Sequence, residues 1–178
     1  MVQKMLRVSA VLLLTISSSA VVGSQNRDRN DPVLKKLLSS SLFRDVSAMM
    51  IPCELTAYCA GSCCNTGIVS NADGSVRTVN WENKIAAGNC SIDQLRGAGI
   101  EIAAVDQTLI PFGSIIEYNG KYYAALDCGG LIKGRKIDLS MSSHSAANDF
   151  GRRFGQAVKV YVPSNPPLSV KTILSLCL

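Results

Sequence analysis

The stretch Ser114-Ile-Ile-Glu-Tyr-Asn-Gly-Lys-Tyr-Tyr-Ala-Ala-Leu-Asp127 decides the fold. Ser114 to Tyr118 and Lys121 to Leu126 read as strands, and Asn119-Gly120 between them is a strong signal for a two-residue hairpin turn. Downstream, Cys128-Gly129-Gly130 breaks the chain and Lys136 to Leu139 is a short strand. Ser143 then caps a helix over Ala146 to Phe154, Gly155 ends it, and Ala157 to Val162 is a final strand. Upstream, Pro111-Phe112-Gly113 is a turn and Glu101 to Val105 a strand. Ser91 to Leu95 reads as one helical turn with Ser91 as its cap. Asn71-Ala-Asp-Gly74 lies between Ile68-Val69 and Val76 to Val79, a second hairpin. Glu54 to Tyr58 alternates as an opening strand. Many short strands with turn residues between them and one short late helix indicate an all-β fold with minor helix, a small β-barrel.

With 178 residues, 47% hydrophobic and 17% charged, the chain has a globular composition and room for one domain with a core. Aromatic residues make up only 6%, which argues against a stacked nucleic-acid platform, and no nucleic-acid partner is expected. The net charge of +5 favours loose attraction to anionic polymers. Lys4 and Arg7, the apolar run Val8 to Leu14 and the small residues that follow read as a signal peptide over 1–23. The apolar run is too short to span a bilayer, so no stable membrane insertion is expected after leader removal, and the protein is read as secreted or periplasmic. Residues 24–51 are a polar linker followed by a short helix, the domain occupies 52–163, and 164–178 is a tail with slight amphipathic character.

In an exported chain, cysteines are expected to pair. Cys53, Cys59, Cys63, Cys64, Cys90 and Cys128 are the disulfide candidates, and Cys177 is left over by the odd count. Cys59-Ala-Gly-Ser-Cys63-Cys64 also resembles half a zinc site that Cys90 or Cys128 would complete. Adjacent cysteines are awkward ligands and His144 is the only histidine, so disulfides take precedence, with no metal and no cofactor expected.

Asp106, Asp127 and Asp138 each end or follow an apolar strand, and three strand ends can converge on one face of a barrel. Convergent carboxyls raise one another's proton affinity, the condition for a general acid near neutral pH. Glycosidic cleavage needs such an acid for the leaving oxygen. Aspartates at strand ends also cap turns, so spacing alone leaves both roles open. Gly129-Gly130, directly after Asp127-Cys128, allows a backbone or a sugar to come close.

Several segments together resemble the 3D (three-aspartate) domain. They are Ile102-Ala-Ala-Val-Asp106, Leu109-Ile-Pro-Phe-Gly113, Asp127-Cys-Gly-Gly-Leu-Ile-Lys-Gly134, Arg135-Lys-Ile-Asp138, Ser143-His-Ser-Ala-Ala-Asn-Asp-Phe-Gly151 and Val158 to Val162. Thr56-Ala-Tyr58-Cys59 is similar to the opening strand of that domain, while Cys128 stands where the family usually has threonine. The resemblance implies a six-stranded double-psi β-barrel similar to the catalytic barrel of membrane-bound lytic transglycosylase A. It implies peptidoglycan or a related polysaccharide as partner, cleaved by lytic transglycosylation without cofactor. It assigns Asp138 as acid/base, Asp127 as the residue that tunes it and holds the sugar, and Asp106 as a shaper of the site. Lys133, Gly129, Gly130 and Tyr58 are placed with substrate. The alternative is a non-catalytic, expansin- or barwin-like polysaccharide-binding module, because scaffold alone does not fix function.

Overall fold

A computed structural model describes residues 31–177; the leader assigned to 1–23 and the first part of the linker lie outside them. The elements in chain order are α1 (Asp31–Leu38), β1 (Met49–Cys59), β2 (Thr66–Ser70), β3 (Val76–Asn80), α2 (Ile92–Gly97), β4 (Ile102–Ala104), β5 (Ile115–Tyr118), β6 (Lys121–Asp127), β7 (Lys136–Met141), α3 (His144–Phe150), β8 (Arg153–Tyr161) and α4 (Val170–Cys177). Six strands close into a barrel in the order β1-β7-β4-β6-β5-β8, and β2 and β3 form a separate hairpin. The expected all-β fold with minor helix is therefore what the chain adopts. No helix among the described residues is long and apolar enough to cross a membrane.

Local chemistry explains the elements. Asn119 and Gly120 both take positive φ, 49° and 77°, and turn β5 into β6. Ser91 caps α2 through a reciprocal pair: its hydroxyl accepts from the Gln94 N–H, and the Gln94 side chain accepts from the Ser91 N–H. The Ser39-Ser-Ser41 run falls outside α1, as its weak helix propensity predicts.

Pairing is mixed: β1–β7 and β4–β6 are parallel, and β1–β8, β4–β7, β5–β6 and β5–β8 are antiparallel. All six strands send side chains into one interior cluster, among them Leu55, Ala103, Ile116, Ala125, Ile137 and Val158. The alternate residues face outward into a second cluster. There Ile102, Ile115 and Leu126 meet Leu34 and Leu37 of α1, Leu95 of α2 and Ile173 of α4.

Several expected boundaries are corrected. The helix after Ser143 ends at Phe150, not Phe154, because Gly151 takes the left-handed stop at φ 63°. Residues from Arg153 onward are already in β8, and Gly155, also at φ 63°, lies within that strand instead of ending a helix. The final strand accordingly starts at Arg153, ahead of the expected Ala157, and the opening strand starts at Met49, ahead of Glu54. After Pro163 the chain is more ordered than a tail: Leu168 donates its N–H to Phe112 O (3.0 Å), and α4 packs against the outer cluster.

Candidate functional site

Strand register builds a row of side chains. In β7, Ile137 and Leu139 point into the barrel, so Asp138 points out. Strict alternation in β6 would turn Asp127 inward with Tyr123 and Ala125. A bulge prevents this: Ala103 lies opposite Ala125, but Ala104 lies opposite Asp127, so the register skips Leu126. Ala104 is also the partner of Asp138 on its other side, and Asp138 in turn is paired with Thr56 of β1. The row Asp127–Ala104–Asp138–Thr56 therefore crosses four neighbouring strands. A methyl group separates the two acids, whose Cα atoms are about 10 Å apart by strand spacing.

Asp127 is 8% exposed. Its carboxylate accepts from the Tyr58 hydroxyl (2.9 Å), the Ala86 N–H (3.1 Å) and the Cys128 N–H (2.9 Å). Burial pushes its pKa up, opposed by these three donors. Asp138 is half-buried and accepts from the Thr56 hydroxyl at 2.6 Å. Burial raises its pKa too; Thr56 and Lys136 oppose the rise, and the charge on Asp127 adds to it. Tyr58, buried and spent on Asp127, is pushed well above the usual tyrosine range by burial and by that carboxylate.

Asp106 sits differently. One oxygen accepts from the Thr108 N–H (3.0 Å) and hydroxyl (2.8 Å), the other from the Gly134 N–H (2.8 Å). These donors hold its carboxyl below the usual range. It closes its own turn and pins the far end of the loop that follows Asp127. In that loop Gly129 is forced by a neighbour, since a Cβ there would lie 2.9 Å from Ile132 Cγ1, whereas Gly130 faces open space. Lys133 is exposed beside Gly134 and favours the charged form of Asp106.

The cysteines form no sulfur–sulfur bond. Cys53 is buried with its thiol on Gln156 O (3.4 Å), Cys90 contacts Gln94 Oε1 (3.5 Å), and Cys128 is exposed. Cys59, Cys63 and Cys64 instead gather with His144. Burial alone would raise the Cys59 thiol, but the Cys63 thiol and the Gly61 N–H lower it below its ordinary value. Burial pushes Cys64 up to about 11.

Thr56 and the Ala86 N–H were not marked out by the sequence as groups that bind the acids. Thr56 lies in the quoted opening strand, but only the parallel β1–β7 register reveals its partner. The segment carrying Ala86 has no motif at all.

The family model of the 3D domain matches residues 101–162. Over 59 residues the chain is 42% identical to the SPbeta prophage-derived uncharacterized protein YorM of Bacillus subtilis (strain 168), a stretch that is 31% of this chain and 25% of that protein. Over 61 residues it is 41% identical to the Cell wall-binding protein YocH of the same organism, covering 34% of this chain and 21% of that one. The chain thus spans a quarter or less of the length of these curated relatives.

Proposed function

We propose, on the premise that residues 101–162 are a 3D domain, that this protein acts on cell-wall glycan and cleaves peptidoglycan by lytic transglycosylation. The observation that carries the reading is the register: Asp127 and Asp138 flank one alanine on the outer barrel face, and burial makes both harder to ionise.

The two acids divide the work by their partners. Every donor at Asp127 favours its carboxylate form, which suits a fixed partner that holds substrate hydroxyls and raises its neighbour's proton affinity. Asp138 accepts a hydrogen bond on Oδ1, and its second oxygen is left to carry a proton. Asp138 gives that proton to the bridging oxygen as the C1–O bond breaks. Its carboxylate then takes the proton of the sugar's own 6-hydroxyl as that oxygen bonds to C1. The product is a 1,6-anhydro sugar, no water is consumed, and Asp138 ends protonated. Asp106 shapes the loop through Gly134 instead of transferring a proton. Tyr58 positions Asp127, while Gly130 and Lys133 line the approach. A wall polysaccharide as partner implies action outside the cytoplasm, consistent with the leader read over 1–23.

The test is zymography on purified peptidoglycan with mass spectrometry of the fragments. Wild type is expected to clear the wall and release anhydro-ended sugars, and Asp138→Asn to do neither. Equal clearing by the two proteins defeats the assignment, and reducing ends without anhydro sugars would mean hydrolysis. The relative named for cell-wall binding favours one second reading: if neither protein clears the wall but both sediment with it, the domain binds glycan without cutting it.

A further inference from the structure

Cys59, Cys63, Cys64 and His144 each offer one donor atom, and these four atoms lie within 4.8 Å of one another. The sulfur of Cys59 is 3.3 Å from that of Cys63 and 3.6 Å from that of Cys64. Nδ1 of His144 is 3.4 Å from the Cys63 sulfur and 3.5 Å from the Cys64 sulfur. In a tetrahedral zinc site with Zn–S near 2.3 Å and Zn–N near 2.0 Å, the edges are about 3.8 Å between sulfurs and about 3.5 Å from sulfur to nitrogen. Four of the six edges come within about 0.5 Å of these values already.

The fold brings the four together for identifiable reasons. The parallel pairing of β1 with β7 sets Cys59 opposite Met141, so both strands end side by side. The loop after β1 then meets the turn into α3, whose first residue is His144. Neighbouring cysteines seldom aim at one point, but this loop makes Cys63 and Cys64 converge. The Cys64 N–H closes a turn on Gly61 O (3.1 Å), and the Asn65 amide donates to both Cys59 O (2.7 Å) and Gly61 O (2.8 Å). Gly61 lies against the cluster: a Cβ there would make ordinary contact with the Cys63 sulfur at 3.5 Å and the Cys59 sulfur at 3.6 Å.

We propose that Cys59, Cys63, Cys64 and His144 form a structural zinc site that staples the end of β1 to the start of α3. Three thiolates and one neutral imidazole are a donor set suited to this borderline-soft ion, and four protein ligands leave no open position for catalysis. On binding, the three thiols release their protons to solvent and Nδ1 of His144 supplies its lone pair. The assembled site carries one net negative charge and opens on a cleft of about 330 Å³ that Arg96 lines together with Glu82 and Asp93. A disulfide is the competing use of these sulfurs. It would draw one pair in to about 2.0 Å and leave the third thiol and His144 without a role. The staple lies one residue from Tyr58, so it steadies the strand that positions Asp127, yet it does not depend on what the aspartates do.

The test uses the full chain purified with zinc present and without added chelator. Elemental and native mass spectrometry are expected to find about one zinc per chain. Cobalt replacing zinc is expected to give the intense visible bands of tetrahedral coordination and a thiolate-to-cobalt charge-transfer band. Alkylation of the native protein should spare Cys59, Cys63 and Cys64 until a chelator is added, while exposed Cys128 reacts at once. His144→Ala and Cys64→Ser should each weaken zinc binding by about tenfold or more, whereas Cys128→Ser should not. The wild-type cobalt spectrum decides the matter even if the ligand variants fail to fold. Sub-stoichiometric zinc after loading, a cobalt spectrum without thiolate charge transfer, or a Cys59–Cys63 or Cys59–Cys64 bond in a non-reducing peptide map overturns the proposal.

Discussion

Asp138 illustrates how burial and charge set a residue's chemistry and its cost to the fold. Its pKa is raised in the folded state, chiefly by burial. A raised carboxyl contributes stability below its unfolded pKa, and that contribution is lost as pH rises through the folded pKa. Above the folded pKa the ionised group therefore strains the fold. Asp138→Asn is expected to melt higher than wild type once pH exceeds the folded pKa of Asp138, with the gap closing as pH falls below the ordinary aspartate range, as calorimetry at several pH values would check. The same change is expected to lower glycan cleavage by on the order of 10² to 10⁴. Asp127→Asn removes a charge that raises Asp138, so the alkaline limb of the activity profile should move to lower pH; an unmoved limb would uncouple the two groups. The sequence revealed both acids because each stands at or near the close of an apolar run. It concealed the roles of Thr56 and Tyr58, whose hydrogen bonds to Asp138 and Asp127 depend on strand register that spacing does not encode. His144 was concealed for the same reason: its sulfur neighbours lie 80 and 81 positions away in the chain.

At the scale of elements, glycines that look alike in the sequence do different work. Gly120 takes φ 77° in an open turn, and a Cβ there meets nothing within 4 Å. Gly113 takes φ 87°, but a Cβ there would lie 2.5 Å from Leu168 Cβ and 2.9 Å from Leu168 N. Gly120→Ala is expected to cost about 1 kcal/mol, the penalty of a left-handed alanine. Gly113→Ala adds a backbone clash and should cost about 1–3 kcal/mol more. Urea denaturation of the two variants would check the order, and equal midpoints would mean that Leu168 yields freely. The hairpins and the capped turn at Ser91 were legible because their chemistry is local. The stop of α3 was not, since Gly151 and Gly155 have the same φ and only the pairing of β8 selects the first. The helix near the C-terminus was equally hidden, because so short a segment gains its order from docking and not from propensity.

The whole molecule has two apolar layers, and they do not share the same fate. The barrel interior is closed by six strands whose ladder makes it one cooperative unit. The outer layer joins helices from both ends of the described chain to the strands' other faces, and it also contains Tyr58, Ile85 and Ala104 beside the acids. Ile173 of α4 is fully buried in that layer. Truncating it to alanine should cost about 2–5 kcal/mol, a large part of the stability of a domain this size. If the layers are separable, the loss appears first as local opening: amides of α1, α4 and the Asn83–Ala87 segment should exchange faster, while those of β5 and β6 keep their protection. The Ala86 N–H holds Asp127, so cleavage should weaken together with that exchange, at denaturant concentrations where the barrel remains folded. Uniform acceleration across all six strands would mean instead that the outer layer and the barrel melt as one body. The site acids would then gain no flexibility from their position between the two layers.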